Sequence, residues 1–148
     1  MYISEDCKWT PYGTNPELDK KVDSDNYHVR AEVAWQNYGL DKLIKDEESF
    51  IREVVAYQGY GLDILINDEH PDVRFEVAKK GYKLNILIND SDDWVRIAVV
   101  NQGYGLNKLI NDTAFMVRDS VYDYLKENNY KSINQWAKIN PDKVYSKD

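Results

Sequence analysis

Apolar residues in this chain fall into columns. Val33, Val55, Val77, Val99 and Val121 stand 22 residues apart, and Leu40, Leu62, Leu84 and Leu106 keep the same step. So do Leu43, Leu65, Leu87 and Leu109, and Ile44, Ile66, Ile88 and Ile110. Polar columns run beside them: Arg30, Arg52, Arg74, Arg96 and Arg118, then Asp46, Asp68, Asp90 and Asp112. A fixed period with both apolar and polar registers is the mark of a repeat architecture.

Within one copy the spacing changes character. Ile51, Val55 and Ala56 follow the 3.6-residue period and predict an amphipathic helix over about Asp46 to Tyr57. Asp46 is expected to cap it, and Pro71 suits the first turn of the next copy. Gly59, Gly81 and Gly103 are expected to end these helices. A second, short helix follows, as in Leu62 to Asn67, brief enough to be 3₁₀. Leu62, Leu65 and Ile66 point one way, so each unit needs a neighbour to cover them.

The predicted fold is therefore all-α: a right-handed α-α superhelix, or solenoid, of helix–turn–short-helix repeats. A single repeat domain over residues 1–148 divides into a degenerate cap (1–24), repeats (25–125) and a C-terminal cap helix with tail (126–148). Pro16 to Val22 matches Tyr38 to Ile44 in register, with Lys21 in place of a core Leu. Ser132 is expected to cap a last helix holding Ile133, Trp136 and Ala137, stopped by Pro141.

The element Asp-x-x-x-x-Val-Arg-x-x-Val-Ala, followed by Leu-x-x-Leu-Ile, resembles helical repeats of the HEAT class. Its short period is similar to the leucine-rich-repeat variant (LRV), which alternates an α-helix with a 3₁₀ helix in a right-handed superhelix. The resemblance covers about Asp23 to Leu125. Where LRV repeats carry an Asn-Pro-rich linker, this chain has Gln-Gly-Tyr-Gly. The resemblance implies scaffolding, or the DNA-glycosylase chemistry of some HEAT-like proteins. No residue here matches a glycosylase's basic cleft and catalytic acid. The resemblance also implies that Arg30, Arg52, Arg74, Arg96 and Arg118 form a structural ladder with the Asp column. Chemistry agrees: an Arg one turn from core Val and Ala must be paired.

Charge narrows the function further. The net charge is −7 with 19 basic and 26 acidic residues, which disfavours nonspecific nucleic-acid binding and anionic lipid. It favours a basic protein partner. One cysteine, Cys7, excludes an internal disulfide framework, and with His28 and His70 it makes a poor zinc set. The first residues lack the pattern of a secretory signal, so a cytoplasmic location is expected. Asn89 to Asp93 superficially resembles a calcium loop, but Val95 stands where that loop needs Gly and Asn101 where it needs Glu. Asn89 and Asn111 open formal glycosylation sequons, by-products of the repeated Asn-Asp element. No nucleophile–base spacing is present, and neither enzyme activity nor a cofactor is expected.

The variable positions carry the functional expectation. Two before, one after and five after each Arg, side chains should point away from the core at about 100° per residue. Trp35, Phe50, Tyr57, Phe75, Trp94 and Ile97 occupy such positions. Large apolar groups there predict a partner-binding face, with packing between repeats as the competing reading. The function expected is a non-catalytic protein–protein interaction module. The alternatives are an acidic inhibitor of a basic nucleic-acid-binding surface or, more remotely, a HEAT-like DNA-processing enzyme. Homo-oligomerisation through the same face competes with hetero-binding.

Overall fold

The computed structural model describes residues 9–147. Cys7 and the first eight residues of the predicted N-terminal cap lie outside that range. The regular structure of the described residues is all helical, with one isolated bridge between Thr10 and Tyr38 and no strand. No helix among them is long and apolar enough to cross a membrane. The chain forms two compact units, Met1–Lys80 and Gly81–Asp148.

The first unit holds α1 (Pro16–Val22), α2 (Tyr27–Trp35), α3 (Leu40–Leu43), α4 (Ser49–Tyr57), α5 (Leu62–Leu65) and α6 (Pro71–Lys79). Helices α2, α4 and α6 pack in succession, and α3 and α5 bridge the pairs. Val33, Val55 and Val77 are fully buried, with Leu40, Leu43, Leu62 and Leu65 around them. Residues before α1 strap this core: Thr10 bonds the backbone of Asn37 and Gly39 at 2.8 Å each, and the Trp9 ring meets Tyr60 edge-on at 4.9 Å.

The second unit holds α7 (Leu84–Leu87), α8 (Asp93–Asn101), α9 (Leu106–Leu109), α10 (Phe115–Glu127), α11 (Ile133–Ile139) and a 3₁₀ turn (Pro141–Lys143). Helix α10 packs on α8 and α9, and α11 closes on α9. Val99, Val121, Leu106 and Leu109 are buried, and Trp136 anchors α11. Ser132 caps α11 through Gln135 N–H, as expected. The tail after Pro141 straps this unit, with Gly105 N–H donating to Lys143 O at 2.8 Å.

Several local expectations need correction. Asp46 does not cap α4; the helix starts at Ser49 with Glu48 before it, and Asp46 instead accepts from Glu48 N–H. The Asp column is placed just ahead of its helix because its carboxylate is committed to an Arg. Capping falls to others: Asp92 accepts from Trp94 and Val95 N–H, and His70 Nδ1 from Asp72 N–H. The short helices are α-helical rather than 3₁₀, each a single turn. The buried Tyr38 hydroxyl donates to Asp19 Oδ1 at 2.6 Å and accepts from Asn15 N–H at 2.9 Å, which ties α1 to the turn before α3.

Each short helix is entered through a left-handed residue: Gly39, Gly61 and Gly105, but Lys83 at φ +45°. A side chain costs roughly 1–2 kcal/mol in that conformation, partly offset by the greater unfolded-state freedom of Gly. Lys83→Gly should therefore stabilise the protein by about 0.5–1 kcal/mol, read as a rise in urea midpoint at unchanged slope.

Candidate partner-binding surface

The Arg and Asp columns turn inward. Arg30 grips Asp46 with both Nε and Nη2, at 2.7 and 3.0 Å, while its Nη1 donates to Ser24 O. Arg52 repeats the grip on Asp68 at 2.7 and 2.9 Å, and Arg96 on Asp112 at 2.8 and 2.9 Å. Their Nη1 atoms hold the carbonyls of Asp46 and Asp90. A planar guanidinium supplies both edges of this lock, and Lys would not. Burial alone would raise the Asp68 and Asp112 carboxyls. The Arg hydrogen bonds and neighbouring backbone N–H groups outweigh it and hold both below the usual carboxylate range. These side chains are committed to contacts within the chain.

The outward stripe of α4 runs Phe50, Glu53, Tyr57, and each member lies one turn from the next. Trp35, Phe50, Tyr57 and Trp94 are between 45% and 54% exposed. Phe75 is half-buried. Ile97 departs from expectation: it is 9% exposed and belongs to the core. Its position is mid-helix, between Trp94 and Asn101, and Ala31 at the equivalent place is buried too.

In the first unit the stripes join across helices. The Trp35 and Tyr57 rings meet edge to face at 5.1 Å, and Lys80 Nζ stands 4.8 Å over the Tyr57 ring. Gln58 donates to Trp35 O at 3.1 Å and fixes the spacing of α2 and α4 beneath the rings. A cation over an aromatic face and an edge-to-face pair each hold side chains in place while leaving their outer surfaces open.

An acidic group on α4 and α6 was missed by sequence reading. Glu76 is buried, with Oε1 on Lys79 Nζ at 2.7 Å and no partner for Oε2. Burial pushes the Glu53 carboxyl up, and Glu76 and Asp72 push it further, against Lys79 and His70. The signal was present: Glu76 shares its column with Val54 and Ala98, both buried. The remaining candidates are accounted for locally. His28 is exposed with its ring against Tyr27 at 4.0 Å. Asp90 and Asp92 of the calcium-like segment serve turn and cap hydrogen bonds. Among the described residues no cluster of three or more His, Cys, Asp or Glu is placed to hold a metal ion.

Comparison with protein-family models, curated proteins and solved structures finds no match to this chain. The functional reading therefore rests on the surface itself.

Proposed function

We propose that the protein is a non-catalytic interaction module that holds a protein partner on the aromatic stripe of α2, α4 and α6. One observation carries the reading: the half-exposed Trp35–Tyr57 pair, already ordered edge to face and backed by Lys80. Solvated helix faces are normally polar, and pre-ordered aromatic anchors bind at little entropic cost. The 22-residue period and the recurring Arg–Asp grip support a HEAT- or LRV-like solenoid as the frame, with the right-handed superhelix of those repeats. Net acidity and the Glu53–Glu76 group suit a basic partner within the cytoplasm.

Alanine at Trp35 and Tyr57 tests this. Truncating a buried aromatic anchor at an interface costs about 2 kcal/mol or more, some thirtyfold in affinity. The protein bound by the wild type in native lysate should be lost from the double variant while its melting temperature stays within a few degrees. Retained binding with a lowered melting temperature would assign the rings to packing alone.

The net charge of −7 supports a second reading, an acidic inhibitor covering a basic nucleic-acid-binding surface. Affinity that collapses between low and physiological salt would favour it, because aromatic anchoring is far less sensitive to screening.

A further inference from the structure

The Arg ladder ends on an open rung. Arg118 is held as the others are on one side: its Nη1 donates to Asp112 O at 2.7 Å and Thr113 O at 3.0 Å. Arg30, Arg52 and Arg96 fill their Nε–Nη2 edge with the carboxylate that follows 16 residues later. For Arg118 that place in the chain is Asn134, an amide. The longer α10 carries the chain past the usual turn, and Asn134 falls within α11, which packs on α9 instead. Among the described residues no acceptor reaches Nε or Nη2 of Arg118, and both atoms touch solvent.

The surroundings are those of an uncovered joint. Helix α8 packs against α10, and Val100, four residues beyond Arg96, is fully buried. On α10 the corresponding side bears Phe115, 67% exposed, and Tyr122, 58% exposed, on either side of Arg118. The guanidinium lies 5.8 Å from the Phe115 ring. Terminal faces of repeat arrays are normally polar. This one joins two aromatic rings to a guanidinium whose carboxylate-shaped edge is vacant and whose orientation is already fixed.

We propose that Arg118, flanked by Phe115 and Tyr122, is a carboxylate-binding site that docks a partner segment through an Asp or Glu side chain set among apolar residues. The template is internal to the chain: the same fork takes Asp112 in two parallel hydrogen bonds one repeat earlier. Bidentate geometry selects a planar carboxylate, and the rings select an apolar setting for it. The site is independent of the aromatic stripe on the first unit.

The full chain, labelled with ¹⁵N, tests this through the Nε–Hε resonances of its arginines. Three probes are titrated at constant ionic strength: sodium acetate against sodium chloride, N-acetyl-Leu-Asp-Leu-amide, and its Asn counterpart. The Arg118 signal should respond saturably to acetate and the Asp peptide, while those of Arg30, Arg52 and Arg96, whose edges are filled, stay still. The Asp peptide should bind at least about tenfold more tightly than acetate, because the rings cover its apolar flanks. Arg118→Gln should abolish the response at neighbouring amides with the rest of the spectrum unchanged. Tyr122→Ser, which leaves the fork intact, should reduce the peptide toward acetate. An Arg118 signal that tracks chloride alone, or an Asn peptide that binds equally, overturns the site. Equal affinity for acetate and the Asp peptide overturns docking of a protein segment.

Discussion

Asp68→Ala should cost about 3–5 kcal/mol of stability, the penalty for leaving a buried charge without its partner. The Arg52 and Asp68 side chains are only 10% and 7% exposed, so water does not replace the lost carboxylate. Arg52 would keep its bonds to the carbonyls of Asp46 and Glu47 while Nε and Nη2 face an apolar gap. Chemical denaturation by urea reads the loss directly. Replacing both partners, Arg52→Met with Asp68→Leu, should be milder than Asp68→Ala alone, because no charge is then stranded. The reverse order would mean that the pair is exposed in solution. The outer contact from Arg52 to Glu69, at 3.7 Å, involves a carboxylate 91% exposed, and Glu69→Ala should change little.

The same pair contributes to the loss of stability in acid. The Asp68 carboxyl lies below its ordinary 3.8 in the folded protein, as does that of Asp112. A depressed folded value means the unfolded chain takes up protons first as pH drops. The contribution is complete above about pH 4–5 and is lost as pH falls through the folded value, below 3.8. Stability measured from pH 6 to pH 2 should decline in that range, and less so in the Arg52→Met, Asp68→Leu variant.

Gly61→Ala carries the second large effect, about 2–4 kcal/mol of destabilisation, the sum of a left-handed backbone penalty and an overpacked contact. Gly61 sits at φ +61°, and a Cβ there would fall 2.1 Å from Ile44 Cδ1. Ile44 is itself buried, so its methyl can move only by displacing core. Gly59 is the control, at φ +80° with nothing within 4 Å of a new Cβ. Gly59→Ala should therefore cost only the backbone term, about 1 kcal/mol. Shortening the collider, Ile44→Val in the Gly61→Ala background, should recover part of the loss. Equal costs at the two glycines would show that the contact with Ile44 plays no role.

The helix pairs, their core columns and the inward Arg–Asp grip were legible in the sequence. The reason is that one local solution recurs, and the same side chains must reappear wherever the same neighbours do. Val33, Val55 and Val77 could be placed inside from periodicity alone, and α6 could be started at Pro71. The aromatic stripe was partly legible: Trp35, Phe50, Tyr57 and Trp94 are half-exposed as the helical angle requires, while Ile97 is not. Helical angle gives a direction from the axis but not the depth of the neighbouring side chains, and depth decided Ile97.

What sequence left open depends on contacts between helices. Asp46 has the chemistry of a cap, and only the presence of Arg30 at 2.7 Å decides that its carboxylate serves the ladder. The Glu53–Glu76 group, the Lys80–Tyr57 stack and the open edge of Arg118 each join residues on different turns or depend on which partner fails to arrive. A period read along the chain fixes what each repeat contains. Which side chains those repeats bring together, and which they leave unmatched where the pattern breaks, is set only when the helices pack.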